Sequence, residues 1–168
     1  MFFQRKRTLQ TAVSGKVIPL SAVHDEVFAT NMMGVGYAVT HHDGLVYAPV
    51  AGVVASIFPT KHAITLETAQ GVAVLVHMGL DTVDLEGAPL DLTVTAGATV
   101  KAGPLLATMD LPMLAEQPRA SVVMVLLPDM TTREVLPHAH GALGETAFNY
   151  CTSTPSLTAG PRYHNHAL

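Results

Sequence analysis

The chain has 168 residues, of which 49% are apolar and 13% charged, with a formal net charge of -4 at neutral pH. That length accommodates one domain with a real core, and the composition is globular rather than disordered. Only nine lysines and arginines are present, three of them bunched at Arg5, Lys6 and Arg7, which leaves no basic stripe to follow a phosphate backbone and excludes nucleic acid as the expected partner. The single cysteine, Cys151, rules out an internal disulfide framework and fits a reducing compartment. No apolar stretch reaches the roughly 20 residues of a membrane span. The opening MFFQRKRTLQ has no apolar h-region or small-residue cleavage site after it, so it is not read as a secretory signal, and the expected location is the cytoplasm.

Residues 1–15 read as a flexible arm, extended or weakly helical, in which Met1, Phe2 and Phe3 beside three cations could touch an anionic membrane surface as one weak anchor. From there short runs of Val, Ile, Leu and Thr recur between Gly, Pro and Asp punctuation, which predicts an all-β fold, a sandwich or barrel. GKVIPLSAV is the first candidate strand. GYAVTHHDGLVYAPV reads as two strands around a His-Asp-Gly turn, and GVVASIFPT, AITLET and GVAVLVHMG follow. DLTVTAGATVKAGPLLATMD supplies two more strands with turns at Gly97 and Gly103. DLPMLAEQP, with Asp110 as a cap and Pro112 in the first turn, is predicted as one short helix. SVVMVLLPD is a last strong apolar strand, and GETAFNY closes the sheet. The domain is therefore expected over 16–150, with 151–168, rich in Ser, Thr, Pro and Gly, as a disordered tail or linker remnant in which His164 and His166 are solvated.

Within this pattern the run GVAVLVHMGLDTV places an imidazole, His77, at the end of an apolar strand. A second, His62, lies fifteen residues upstream in FPTKHAITLETAQG. A two-residue hairpin loop at Ala69-Gln70 makes paired residue numbers sum to 139 and sets His62 opposite His77. A loop at Gln70-Gly71 makes the sum 141 and sets them diagonally. Both registers put the rings on one face, with Ile64, Leu66, Ala73 and Leu75 beside them. Directly opposed Cβ atoms lie about 5 Å apart. Two imidazoles so placed can be a hydrogen-bonded structural pair, half of a metal site, or a nucleophile with its helper.

The same residues carry a resemblance. GVAVLVHMGLDTV, with KHA fifteen residues earlier, resembles the active-site signature of the enzyme IIA domain, glucose family, of the bacterial phosphoenolpyruvate-dependent sugar phosphotransferase system. The resemblance extends through VFATNMMGVGYAV, VYAPVAGVVASIF, LPMLAE, SVVMVLLPDM and GETAF, and so covers about residues 14–150. It implies an antiparallel β-sandwich with one or two short helical turns, acting as a phosphotransferase component that carries a phosphoryl group on a histidine. By position, the phosphoryl acceptor it implies is His77, through Nε2, with His62 as the neighbour that steadies the transferred group. Phosphoryl transfer asks mainly for in-line positioning and charge stabilisation, which a second imidazole partly meets. On this reading Thr60 is the candidate for orienting the His62 ring, and the Gly79 carbonyl for accepting from His77 Nδ1.

The family's docking surface is an apolar patch ringed by carboxylates that receives the basic phosphocarrier HPr and then the cysteine-bearing IIB domain. The matching positions are Val27, Phe28, Met32, Phe58, Leu75 and Val83 for the patch, with Asp25, Asp81 and Asp84 for the rim; plain core and solvated loop carboxylates are the alternative readings. Complementary charge would speed encounter with a basic partner. The chain departs from many members at Gly34-Val35-Gly36, where they read Gly-Asp-Gly, at His41 and His42, which enlarge a turn, and at Leu75, where some carry Phe. No cofactor is required, and contact with the membrane is expected only through the permease. Regulatory target enzymes are further partners of the kind the family has.

Rival readings stay open on the residues alone. His62 and His77 could bind zinc, with HAH at His138 to His140 as further ligands or with a zinc shared with a partner protein, a mode known in the family. APVAG followed by GATVKAG is similar to biotinyl and lipoyl carrier modules, but Lys61 and Lys101 lack the setting of a modified lysine, a tight exposed turn flanked by methionine-like residues. A non-catalytic regulatory module that keeps the fold is the remaining alternative.

Overall fold

The computed structural model describes residues 5–116, 121–130, 142 and 144–152, and among these it contains twelve short strands and two four-residue helices. In chain order the strands are β1 (Arg5–Gln10), β2 (Lys16–Pro19), β3 (Val35–Thr40), β4 (Leu45–Tyr47), β5 (Gly52–Ile57) and β6 (Ala63–Glu67). They continue with β7 (Ala73–Met78), β8 (Leu90–Leu92), β9 (Thr99–Val100), β10 (Leu105–Met109), β11 (Val123–Leu127) and β12 (Thr146–Thr152). The helices are α1 (Glu26–Ala29) and α2 (Leu111–Leu114). A seven-stranded sheet in the order β2-β3-β11-β7-β6-β5-β9 is joined by a three-stranded sheet, β4-β10-β8, and a ribbon of β1 with β12. Every strand pair is antiparallel. The fold is thus the antiparallel β-sandwich expected from the sequence.

β11 shows why the large sheet is the centre. It is apolar at every position and buried at every position, and its period of two sends alternate side chains to opposite faces. Val123, Val125 and Leu127 enter the main core, shared with Val74, Val76 and Met78 of β7 and with Leu106 and Met109 of β10. Met124 and Leu126 enter a second, smaller core with Leu75, Ala63, Leu80, Leu20 and Phe28. His77 follows Val76 on the strand and therefore belongs to the second face, where it pairs laterally with Met124 and Ala63.

Both helices begin on aspartate caps. Asp25 accepts from the Val27 N–H at 2.9 Å and Asp110 from the Met113 N–H at 3.1 Å, each satisfying a donor that the first turn leaves unpaired. α2 was legible in the sequence from the Asp110 cap and Pro112, whereas α1, equally short, has no proline in its first turn to mark it.

Four expectations are revised. Residues 5–10 are a strand rather than a loose arm, because β12 supplies the backbone partners and Leu9, Ala12 and Val13 are fully buried. β3 and β4 flank the His-Asp-Gly turn as expected but lie in different sheets, so that turn is a crossing between layers. The 90–109 segment holds three strands rather than two. The tail expected over 151–168 starts later, because Cys151 and Thr152 pair with Lys6 and Arg5 as the end of β12; from residue 153, with His164 and His166, it lies outside the described residues, as do Met1, Phe2 and Phe3.

Tyr37, fully buried on β3, ties the first segment to the large sheet: its hydroxyl donates to the Gln10 carbonyl at 2.6 Å and accepts from the Ala12 N–H at 3.0 Å. Tyr37→Phe leaves both backbone groups unpaired in a dry site. A loss of about 1–3 kcal/mol is expected, read as a lower midpoint in denaturant unfolding at unchanged slope.

Candidate functional site

Two consecutive hairpins bring the histidines together. Between β6 and β7 the observed pairs, Ala63 with His77 and Ile64 with Val76, sum to 140, one step from either register expected. The reason is the loop. Thr68 and Val72 close it, the Thr68 N–H donating to the Val72 carbonyl at 3.0 Å, and three residues intervene, the last being Gly71 at φ +75°. Three-residue hairpin loops ending in a left-handed residue are a standard alternative to two-residue ones. Consequently Ile64 and Leu66 face the main core, opposite to Leu75, and are not companions of His77.

His62 escapes this alternation because it precedes β6. It is the last residue of the β5–β6 loop, Pro59-Thr60-Lys61-His62, closed by the Phe58 N–H on the Ala63 carbonyl at 3.0 Å. Inside it the Lys61 N–H donates to the Phe58 carbonyl at 2.8 Å, and Lys61 takes a left-handed φ of +60°. That reversal lets the His62 ring reach His77: the ring centroids are 5.1 Å apart and the planes meet at 71°. Thr60 lies in the same turn, and its hydroxyl is 2.5 Å from His62 Nδ1. With the hydroxyl as donor, Nδ1 accepts and the ring proton sits on Nε2.

His77 lies at the C-terminal end of β7. Its Nδ1 is buried and without a hydrogen-bond partner, which leaves Nε2 as the nitrogen open to the cleft. The Gly79 carbonyl is near enough to raise the imidazole's proton affinity but falls short of hydrogen-bond geometry. Gly79 itself turns the chain at φ +83°, and its N–H donates to the Val122 carbonyl at 2.7 Å. The buried Thr82 hydroxyl reaches the Met78 carbonyl at 3.4 Å, fastening the loop after the strand. Burial, with His62 as a second and smaller cause, pushes His77 from its ordinary 6.5 down to about 4, against the opposing pull of Gly79 and Asp25. His62 is also lowered by burial. Both rings are therefore neutral at pH 7, as a nitrogen nucleophile and its neighbour require.

These groups line a cleft of about 330 Å³ with Phe28 and Leu80 as apolar wall and Asp25, Asp81 and Asp84 beside them. Val83 lines it as well and is exposed, and outside it Val27, Met32, Met33 and Phe58 are exposed apolar side chains. Leu75 and Phe28 differ: they are 5% and 7% exposed and belong to the second core. Phe28 instead meets the His77 ring edge-on at 4.9 Å. Asp81 and Asp84 are exposed and Asp25 is half-buried at the α1 cap. Met33 could have been found from its place in NMMG; Leu80 had no signal beyond its apolar character.

His42 also has a role that the sequence did not disclose. Its Nε2 is hydrogen-bonded to the Ser121 carbonyl, and its Nδ1 accepts from the Gly44 N–H at 3.1 Å. It thus joins the layer-crossing turn to the segment that opens β11. Burial lowers its proton affinity.

His42, His62 and His77 share one sign. Each binds a proton in the unfolded chain at a pH where the folded protein still refuses it, so stability is complete above the unfolded value and declines as pH falls. For His77 the window runs from 6.5 down to about 4. Urea midpoints should drop between pH 7 and pH 5, and His77→Gln should flatten that drop.

Among the described residues no group of three or more His, Cys, Asp or Glu side chains converges to hold a metal. His62 and His77 offer two donors, fewer than the three protein ligands of a catalytic zinc site or the four of a structural one. His138 and His140 lie outside the described residues. Among the described residues no helix is long and apolar enough to cross a membrane.

The comparisons with known proteins agree with this geometry. The chain is 47% identical over 116 residues to the PTS system glucose-specific EIICBA component of Streptococcus pneumoniae, covering 69% of this chain but 16% of that protein. Such fused relatives, including the glucosamine-specific EIICBA component of Bacillus subtilis, of which 20% is covered, are matched over a fifth of their length or less. The glucose-specific EIIA component of Oceanobacillus iheyensis is 40% identical over 129 residues, covering 76% of this chain and 78% of that one. The solved glucose permease IIA of Mycoplasma capricolum superposes with a TM-score of 0.80 at 32% identity, over 89% of this chain and 98% of that one. Residues 7–132 match the family described as phosphoenolpyruvate-dependent sugar phosphotransferase system, EIIA 1, and with the histidine pair on the same sandwich, the chain belongs to that family.

Proposed function

We propose that this protein is a histidine phosphocarrier of the sugar phosphotransferase system, working in the cytoplasm between HPr and the IIB domain of a sugar permease. The observation that carries the reading is the neutral His77, with Nδ1 buried and Nε2 open to a cleft that His62 overlooks. The Nε2 lone pair attacks the phosphorus of phosphohistidine on HPr. The donor's P–N bond breaks, its electron pair returns to the donor imidazole, and a new P–N bond forms on His77. Onward transfer reverses these roles, a IIB cysteine thiolate attacking and His77 leaving as the neutral ring.

Each neighbour has a part in keeping this reversible. The proton on His77 Nδ1, directed toward the Gly79 carbonyl, keeps Nε2 the nucleophile. Thr60 donates to His62 Nδ1, so that His62 Nε2–H donates to the phosphoryl oxygens when they arrive. Val27, Met32, Phe58 and Val83 offer the apolar contact, and Asp25, Asp81 and Asp84 draw in a basic partner. A zinc ion shared with a partner would use the same two rings, the partner supplying the remaining ligands. No part of the transfer calls for it.

The test is incubation of the intact chain with phosphoenolpyruvate, enzyme I and HPr, read by intact mass. One acid-labile phosphoryl group is expected, discharged on adding a IIB domain. No mass gain with several HPr proteins would end the relay reading.

A further inference from the structure

Four rings stand in one column across the site. Phe28 meets His77 at 4.9 Å and 64°, His77 meets His62 at 5.1 Å and 71°, and His62 meets Phe58 at 5.2 Å and 59°. The column begins at a buried phenylalanine and ends at one that is 44% exposed. No adjacent pair is coplanar, and edge-to-face or tilted contacts of this spacing are the favoured arrangement of aromatic rings.

The two imidazoles are held unequally. His77 is on a strand, flanked by Ala63 and Met124, and backed by Phe28. His62 is on a four-residue loop and has one side-chain hydrogen bond, from Thr60 to Nδ1. Among the described residues that one bond is the only side-chain hydrogen bond opposing a turn-over of the imidazole, which would break it and present Nδ1 to the cleft in place of Nε2. Phe58 opens the same loop, its backbone bonded to Ala63 and Lys61, so its ring is delivered against His62 by the turn itself. The outer face of His62 is thereby covered without a partner protein.

The geometry points to Phe58 as a positioning residue for phosphoryl transfer: its ring holds the His62 imidazole in the orientation that presents Nε2 to the group on His77. This rests on the relay reading above and adds to it, since an exposed phenylalanine in an apolar patch otherwise serves docking alone. Phe58 touches no reacting atom. It acts through His62.

The experiment separates the two roles by reading the free protein first. Imidazole nitrogen–proton correlation spectra of uniformly nitrogen-15 labelled protein report the tautomer of each histidine without HPr or IIB present. Wild type and Phe58→Tyr should both hold His62 as one Nε2–H tautomer, whereas Phe58→Leu, which keeps apolar bulk but no ring face, should show a second tautomer. Steady-state transfer to IIB should then fall about tenfold in kcat for Phe58→Leu, with KM little changed and kcat rescued by tyrosine. An unchanged His62 tautomer in Phe58→Leu, or a rise in KM at constant kcat, would overturn the proposal in favour of docking alone. Failure of wild type to accept phosphoryl would remove the relay reading instead. The tautomer comparison would still decide whether Phe58 orients the ring.

Discussion

His77→Ala takes up no phosphoryl group from phospho-HPr under conditions where the wild type is fully charged, and sugar phosphorylation reconstituted with a IIB domain stops with it. Nothing else in the cleft can substitute. His62 is the other imidazole, but with the Thr60 hydroxyl donating to its Nδ1 the ring proton sits on Nε2, and in that tautomer it has no free lone pair facing the donor. The carboxylates of Asp25, Asp81 and Asp84 would repel an incoming phosphoryl dianion. Intact mass under alkaline conditions, where phosphohistidine survives, checks the result. A residual phosphoryl on His77→Ala would mean that the acceptor has been misassigned.

His62→Ala should behave differently. Acceptance persists, because the His77 nucleophile remains, while onward transfer slows by about 10²–10³-fold, the usual cost of removing one preorganised donor to developing negative charge. The phosphorylated variant should therefore accumulate and discharge slowly when IIB is added. Rapid-quench transfer from preloaded protein is the measurement. Discharge at the wild-type rate would strip His62 of its part. Thr60→Val should show a smaller version of the same defect, since it disturbs the tautomer rather than deleting the donor.

The fold class was legible because short Val- and Ile-rich runs separated by Gly, Pro and Asp have few other solutions. The histidine pair was legible too, but for an imperfect reason. Strand parity predicts His62 and His77 on one face, yet the actual register, set by a three-residue loop ending at Gly71, would part them if His62 were on a strand. Its place in a loop with a left-handed Lys61 restored the contact. Loop length by one residue and a positive φ at lysine are not written in apolar periodicity. The same limit explains Leu75 and Phe28. A central sheet buried on both faces offers two cores, and composition alone cannot tell a residue of the second core from one of an open patch. β1 was missed because its partner, β12, lies at the other end of the sequence, where no local pattern reaches.

That last pairing has a bearing on how the protein is made. Arg5 lies beside Thr152 and Leu9 beside Phe148, so the earliest described strand has no neighbour to bond until the latest one has been synthesised. A ribosome releasing the chain from the N-terminus leaves Leu9, Ala12 and Val13 waiting, with the Tyr37 hydroxyl, the Pro49 carbonyl that accepts from the Gln10 N–H and the Tyr47 N–H that donates to the Ala12 carbonyl as early anchors. Long-range pairings of this kind close last and slowly. The nascent domain is therefore most exposed to misassembly at the seam where its two ends meet, and the histidine hairpins, built from neighbours in sequence, stand complete well before that seam is sewn.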